Sequence, residues 1–128
     1  MAEFVADAAA IVDALTAPGG VSARRLTDST LHAPHLVDVE VTNALRSMTA
    51  RGDLETAVAV GAREALLDVV THRYGHELLL ERIWELRDNV RTYDAAYVAL
   101  AETLGLTLVT SDRRLARTPG IRCQVETV

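Results

Sequence analysis

The sequence holds no lysine, one cysteine, three prolines, one phenylalanine and one tryptophan in 128 residues. Each scarcity excludes something. Without lysine there is neither a P-loop nor Schiff-base chemistry, both of which need its amine. Cys123 alone builds no disulfide scaffold, and a lone thiol suits a reducing, cytoplasmic compartment. No apolar run approaches the ~20 residues that cross a bilayer. An export signal opens on basic residues, whereas Glu3 and Asp7 come first here and the first arginine is Arg24. No membrane association is therefore expected. Aromatic residues make up only 4% of the chain, too few for a platform that stacks many bases.

The residues that are abundant are apolar and acidic. Apolar residues make up 49%, and at this length roughly two-thirds of the unfolded chain's surface is buried on folding. That supports a core and excludes a disordered tail. The length suits a single domain over residues 1–128. All basic residues are arginines, 13 against 18 acids, for a net charge of −5. A GC-rich coding sequence accounts for this together with the abundant alanine; arginine also suits bidentate phosphate contacts. The acidic balance argues against strong nonspecific binding to nucleic acid.

Hydrophobic patterning predicts alternating strands and helices. Phe4-Val5-Ala6 reads as a buried strand ending at Asp7, followed by a helix over Ala8 to Leu15 that Pro18-Gly19-Gly20 ends. A helical stretch covers Val21 to Thr27, and Leu31-His32-Ala33 is a strand stopped by Pro34. Leu36, Val37, Val41, Ala44, Leu45 and Met48 recur at helical spacing through Ala50. Gly52 then serves as a C-cap and Asp53 as the N-cap of a helix over Leu54 to Leu66. Val69-Val70-Thr71 reads as a short strand, with a chain break at Tyr74-Gly75. Leu79, Ile83 and Leu86 have helical spacing, as do Leu80 and Trp84. Thr92 caps an apolar helix from Tyr93 to Leu104 that Gly105 closes. Thr107 to Thr110 is a strand, Ser111 opens a short helix, and Ile121, Cys123 and Val125 alternate as a final edge strand. This order predicts an α/β domain with a parallel sheet and helices on both faces.

Sites in such sheets gather at the carboxyl ends of strands. Asp7 and Asp112 stand at two of those ends. Glu40 and Asp94 interrupt apolar helical surroundings, which is costly without compensation. Taken singly, Asp94 also fits a first-turn helix acid, Asp112 a cap and Glu40 a surface charge. If the four converge, a metal ion is the natural compensation.

The four acids and their contexts resemble a known family. The apolar strand, acid and helix of Phe4 to Val12 form one segment. Pro34, the Glu40-Val41 pair and Asn43 mark a second, within Pro34 to Arg46. Tyr93 to Ala101 and Leu108 to Leu115 form the third. In this order and spacing the chain resembles the PIN-domain ribonucleases, specifically the VapC-type toxins of bacterial toxin–antitoxin modules, over nearly its full length. The resemblance implies a PIN-like three-layer α/β/α domain with a central parallel sheet, and metal-dependent endonucleolytic cleavage of RNA. It maps the catalytic and metal-binding acids onto Asp7, Glu40, Asp94 and Asp112. Oxygen-only ligands suit Mg²⁺ or Mn²⁺. Asp7 and Asp94 are the expected direct ligands, with Glu40 and Asp112 acting directly or through water. Asn43, Thr110 and Ser111 are expected to support the site, and Arg113, Arg114 and Arg117 to contact phosphate. The family also implies a homodimer and a cognate VapB-like antitoxin.

Two positions depart from the family pattern. Ala9 stands where a serine or threonine is usual, and Arg114 where some relatives carry a further acid. The first removes a hydroxyl but no carboxylate. His72 and His76 have the spacing of helical metal ligands, but Tyr74-Gly75 lies between them, so no zinc site is expected. His32 and His35 read as surface residues flanking a turn. The stretches Val58 to Leu67 and Leu78 to Trp84 read either as core or as partner surfaces. Two other classes compete with the nuclease. An inert PIN domain kept for protein binding would show no metal binding. A phospho-acceptor receiver domain would need a lysine that is missing here.

Overall fold

The computed structural model describes all 128 residues. The chain runs β1 (Glu3–Ala6), α1 (Ala8–Thr16), α2 (Val21–Leu26), β2 (Thr30–Pro34), α3 (Leu36–Ala50), α4 (Thr56–Val69), β3 (His72–Tyr74), α5 (Leu80–Glu85), α6 (Thr92–Leu104), β4 (Leu108–Thr110) and β5 (Val125–Thr127). Short 3-10 turns at Glu77–Leu79 and Leu115–Arg117 complete it. The five strands form one parallel sheet in the order β3-β2-β1-β4-β5.

That order determines where the helices lie. From β1 the chain steps outward to β2 and β3, then returns past β1 to β4 and β5. Right-handed crossovers put helices of opposite step direction on opposite faces. Helices α1 to α4 accordingly pack among themselves on one face, while α5 and α6 pack together on the other, with α6 against β1, β2 and β4. The result is the three-layer α/β/α arrangement. The step direction reverses between β1 and β4, and their carboxyl ends therefore border the crevice where such sheets hold ligands.

Burial follows the sheet. Val5, Ala6, Leu108 and Val109 are fully buried, as expected for strands covered on both faces. Ala95 to Ala101 of α6 are all buried, and their alanines let that helix lie close to the sheet. Gly105 ends α6 in the left-handed conformation, at φ 68°, which glycine adopts without a Cβ penalty.

Several boundaries differ from those read in the sequence. Val69-Val70-Thr71 is not a strand: α4 continues through Val69, Val70 is buried beyond it, and β3 is His72–Tyr74. A short apolar run reads alike as a buried strand or a helix end. Arg73 decides the matter by donating to the carbonyls of Leu66 and Val70 and, bidentately, to Asp38. Asp53 does not cap α4. Its carboxylate accepts from Arg51 Nε at 2.9 Å, and α4 starts at Thr56 behind Glu55. Thr92 is the first residue of α6, and Arg91 takes the cap position. The helix expected after Ser111 is reduced to the turn at Leu115–Arg117, and the last strand begins only at Val125. His32 is buried rather than exposed: Glu3 Oε1 lies 2.8 Å from one ring nitrogen and Tyr74 Oη 2.7 Å from the other. No helix is long and apolar enough to cross a membrane.

Candidate active site

Asp7 is the most constrained acid. It leaves β1 in extended conformation and caps α1, its Oδ1 accepting from the Ala10 amide at 2.9 Å. Its Oδ2 accepts from the Thr110 hydroxyl at the end of β4. Thr110 is fully buried and its Oγ1 also accepts from the Asp112 amide at 3.0 Å. One hydroxyl thus ties the two strand ends on either side of the crevice. Ser111, half-buried, separates Thr110 from Asp112.

Glu40 reaches the same place from α3. Its Oε1 accepts from the Tyr97 hydroxyl at 2.7 Å, a bond that links α3 to α6. Tyr97 stands one turn after Asp94 and is almost wholly buried. Burial, with Glu40 close by, pushes its hydroxyl far above the usual range, so it remains a donor. Asp7, Glu40, Asp94 and Tyr97 line one cavity of about 450 Å³ together with Ala8, Ala9, Ala44, Ser47 and Arg51. Ala9 leaves room there rather than offering a hydroxyl.

The electrostatics mark this cavity as short of positive charge. Burial pushes the Asp7 carboxyl up to about 6; Asp94 and Glu40 add to this by repulsion, while bonds from Thr110 and Ala10 oppose it. Burial and then Asp94 raise Glu40, and burial and then Asp112 raise Asp94. Asp112 behaves oppositely. The Arg114 guanidinium beside it, at 3.3 Å, holds its carboxyl below the usual range. Asp112 therefore stands at the rim with its own counter-charge, facing Asp94.

No three of the acidic, histidine or cysteine side chains are grouped closely enough to hold a metal ion as they stand. Three of the four acids already have hydrogen-bond partners: Asp7 in Ala10 and Thr110, Glu40 in Tyr97, and Asp112 in Arg114. The donor chemistry nevertheless fits a hard divalent cation. Several carboxylates, two of them raised partly by one another's charge, share a cavity with no histidine or thiol.

The remaining expected site residues are distributed around this centre. Asn43 is exposed and opens not into the acidic cavity but into a neighbouring one. Arg113, Arg114 and Arg117 are exposed at the rim after β4. Sequence reading missed Arg51, which lines the acidic cavity. The signal was there: residues 40, 44, 47, 48 and 51 form one stripe of α3 at helical spacing. Asp13, also in the lining, was missed too; it shares a stripe of α1 with Ala9 and Val12.

Fold and site together define a class: a parallel α/β domain that gathers acids over the switch point of its sheet. The chain belongs to the PIN-domain family, whose profile matches residues 4–121. It is 44% identical over 132 aligned residues to ribonuclease VapC1 of Mycobacterium tuberculosis, covering 100% of this chain and 99% of that protein. Among solved structures, PAE2754 from Pyrobaculum aerophilum superposes with a TM-score of 0.68 at 27% identity, covering 97% of this chain and 83% of that one. VapBC2 from Rickettsia felis, solved bound to a fragment of its promoter DNA, shares the fold at 14% identity, with a TM-score of 0.71 and 98% of each chain covered.

Proposed function

We propose that this chain is a VapC-type endoribonuclease toxin that cleaves RNA with Mg²⁺ or Mn²⁺. The observation that carries the reading is the convergence of Asp7, Glu40 and Asp94 in one cavity at the sheet's switch point, with Asp112 at its rim. The full-length likeness to proteins named VapC ribonucleases supports it.

Asp7 and Asp94 would hold the ion directly, with Glu40 and Asp112 completing its surroundings directly or through water. When bound, the ion would supply neutralising charge for the phosphodiester and the acidity that activates a water. The rest falls to the chain. Thr110 holds Asp7 Oδ2, and the Asp7 cap on α1 holds Oδ1, so the carboxylate has one fixed orientation. Tyr97 occupies Glu40 Oε1, leaving Oε2 to accept the proton of the attacking water. Arg51 and Arg114 flank the cavity and hold phosphates on either side of the cut. Arg114 releases Asp112 to do so, a weak exposed pair giving way to a charge-assisted phosphate contact. A VapB-like antitoxin neutralises the enzyme, and two copies form the working homodimer.

The test is cleavage of single-stranded and transfer RNA by protein purified free of antitoxin. The parent cuts in Mg²⁺ or Mn²⁺ and stops in EDTA. Asp94→Asn folds as the parent does and loses at least about a hundredfold in rate, because the several kcal/mol of charge stabilisation that a bound ion supplies goes with its ligand. Equal rates for variant and parent would remove Asp94 from the mechanism. A parent inert towards every RNA in both ions would mark a protein-binding PIN domain instead.

A further inference from the structure

A second cavity adjoins the first. It holds about 640 Å³, within the usual range for small-ligand sites, and is lined by His35, Leu36, Val39, Glu40, Asn43, His76 and Tyr93. Glu40 belongs to both cavities. On α3, residues 36, 39, 40 and 43 form a stripe at helical spacing that meets the catalytic stripe at Glu40. On α6, Tyr93 and Tyr97 lie one turn apart: Tyr97 is buried on Glu40, and Tyr93 is 68% exposed in the second cavity.

We infer that this second cavity receives a nucleobase of the RNA next to the scissile phosphate, and thereby sets which nucleotide is preferred beside the cut. The inference rests on the ribonuclease reading above. Three observations favour a base over the other parts of a nucleotide. The lining contains no arginine and includes a carboxylate, so it repels a phosphate. It offers flat π-surfaces in Tyr93 and in the imidazoles of His35 and His76, whose ring centres are 6.2 Å apart and edge-on. It also offers fixed hydrogen-bonding edges. His76 Nε2 accepts from the Leu36 amide at 3.1 Å, which leaves the ring proton on Nδ1 as a donor. The Asn43 amide supplies both a donor and an acceptor. Unpaired RNA bases are read by stacking on aromatic side chains together with contacts of this kind. A strand laid along α3 then places a base at its amino end, the cut at Glu40 and a phosphate by Arg51.

The experiment has two arms. In the first, each nucleoside monophosphate is titrated into metal-free protein while the imidazole proton resonances are followed by NMR. At least one base should shift His35 and His76 in the parent and shift neither in Tyr93→Ala. In the second arm, parent, Tyr93→Ala, Tyr93→Phe and Asn43→Ala cleave a single-stranded RNA pool of randomised sequence. Tyr93→Ala should raise KM about tenfold, change kcat far less, and flatten the preference at one position beside the cut. Tyr93→Phe should keep both. Asn43→Ala should change which base is preferred. The inference is overturned if no monophosphate moves these resonances, or if Tyr93→Ala keeps the parent's KM and preference. It is equally overturned if Tyr93→Ala alters only the sedimentation of the protein, which would make this face a contact between copies. The failures separate: a parent that cuts no RNA overturns the ribonuclease reading, whereas a cutting parent with an indifferent Tyr93 variant overturns this pocket alone.

Discussion

Asp7 carries opposed duties. As a cap it stabilises α1; as a buried carboxylate among others it opposes folding. Its carboxyl is raised from 3.8 to about 6, so the folded chain keeps this proton longer than the unfolded chain does. The stabilisation linked to that proton is complete below about pH 4 and lost as the pH rises through about 6. That difference corresponds to about 3 kcal/mol. Asparagine caps a helix as well as aspartate, its Oδ1 accepting from the Ala10 amide, while its Nδ2 turns a donor towards the Thr110 oxygen in place of the acceptor that Asp7 Oδ2 provides. Asp7→Asn is therefore expected to melt above the parent at pH 7.5 in EDTA, the gap closing towards pH 4. Added Mn²⁺ should raise the parent and leave the variant where it was. Thermal scans at the two pH values check this; a variant less stable than the parent in EDTA at pH 7.5 would show that the Thr110 bond matters more than the buried charge.

The elements differ in how legible they were. Long helices with an unbroken apolar stripe, α3 and α6, stood out in the sequence to within a residue, because periodicity over many turns is hard to mimic. β1 and β4 stood out because buried parallel strands are short apolar runs. The α4–β3 junction did not, because Val69 and Val70 fit either state and Arg73 settles it only through Asp38, 35 residues away. The acids were legible as polar residues in apolar settings. Arg51, Tyr93 and the Asp112–Arg114 pair were not, since their meaning depends on the neighbours that folding sets beside them. Arg73 also supplies a prediction. It joins α3 to β3 and covers the last carbonyls of α4. Arg73→Ala should cost about 2 kcal/mol in urea unfolding, because buried acceptors lose their donor and a partly exposed ion pair is lost. Arg51→Ala, whose ion pair with Asp53 is well exposed, should cost little by the same measurement.

At the scale of the molecule, α5 and the turn before it are divided in use. Leu79 and Ile83 enter the core, while Leu78, Leu80 and Trp84 lie exposed beside one another in sequence. Large apolar side chains left exposed on one short segment offer a surface for contact with another protein. Leu80→Glu combined with Trp84→Glu is expected to turn the proposed homodimer into monomers in sedimentation without lowering the melting temperature of the fold. A parent already monomeric would show that this surface does not join two copies. The central claim concerns the carboxyl ends of β1 and β4, where one cavity gathers acids without enough positive charge to balance them. Calorimetric titration of Mn²⁺ into antitoxin-free protein at pH 7.5 tests it most directly, with Asp7→Asn as the partner measurement. Saturable binding by the parent that is lost in the variant is the predicted result. Equal binding by both proteins, or none by the parent, would contradict it.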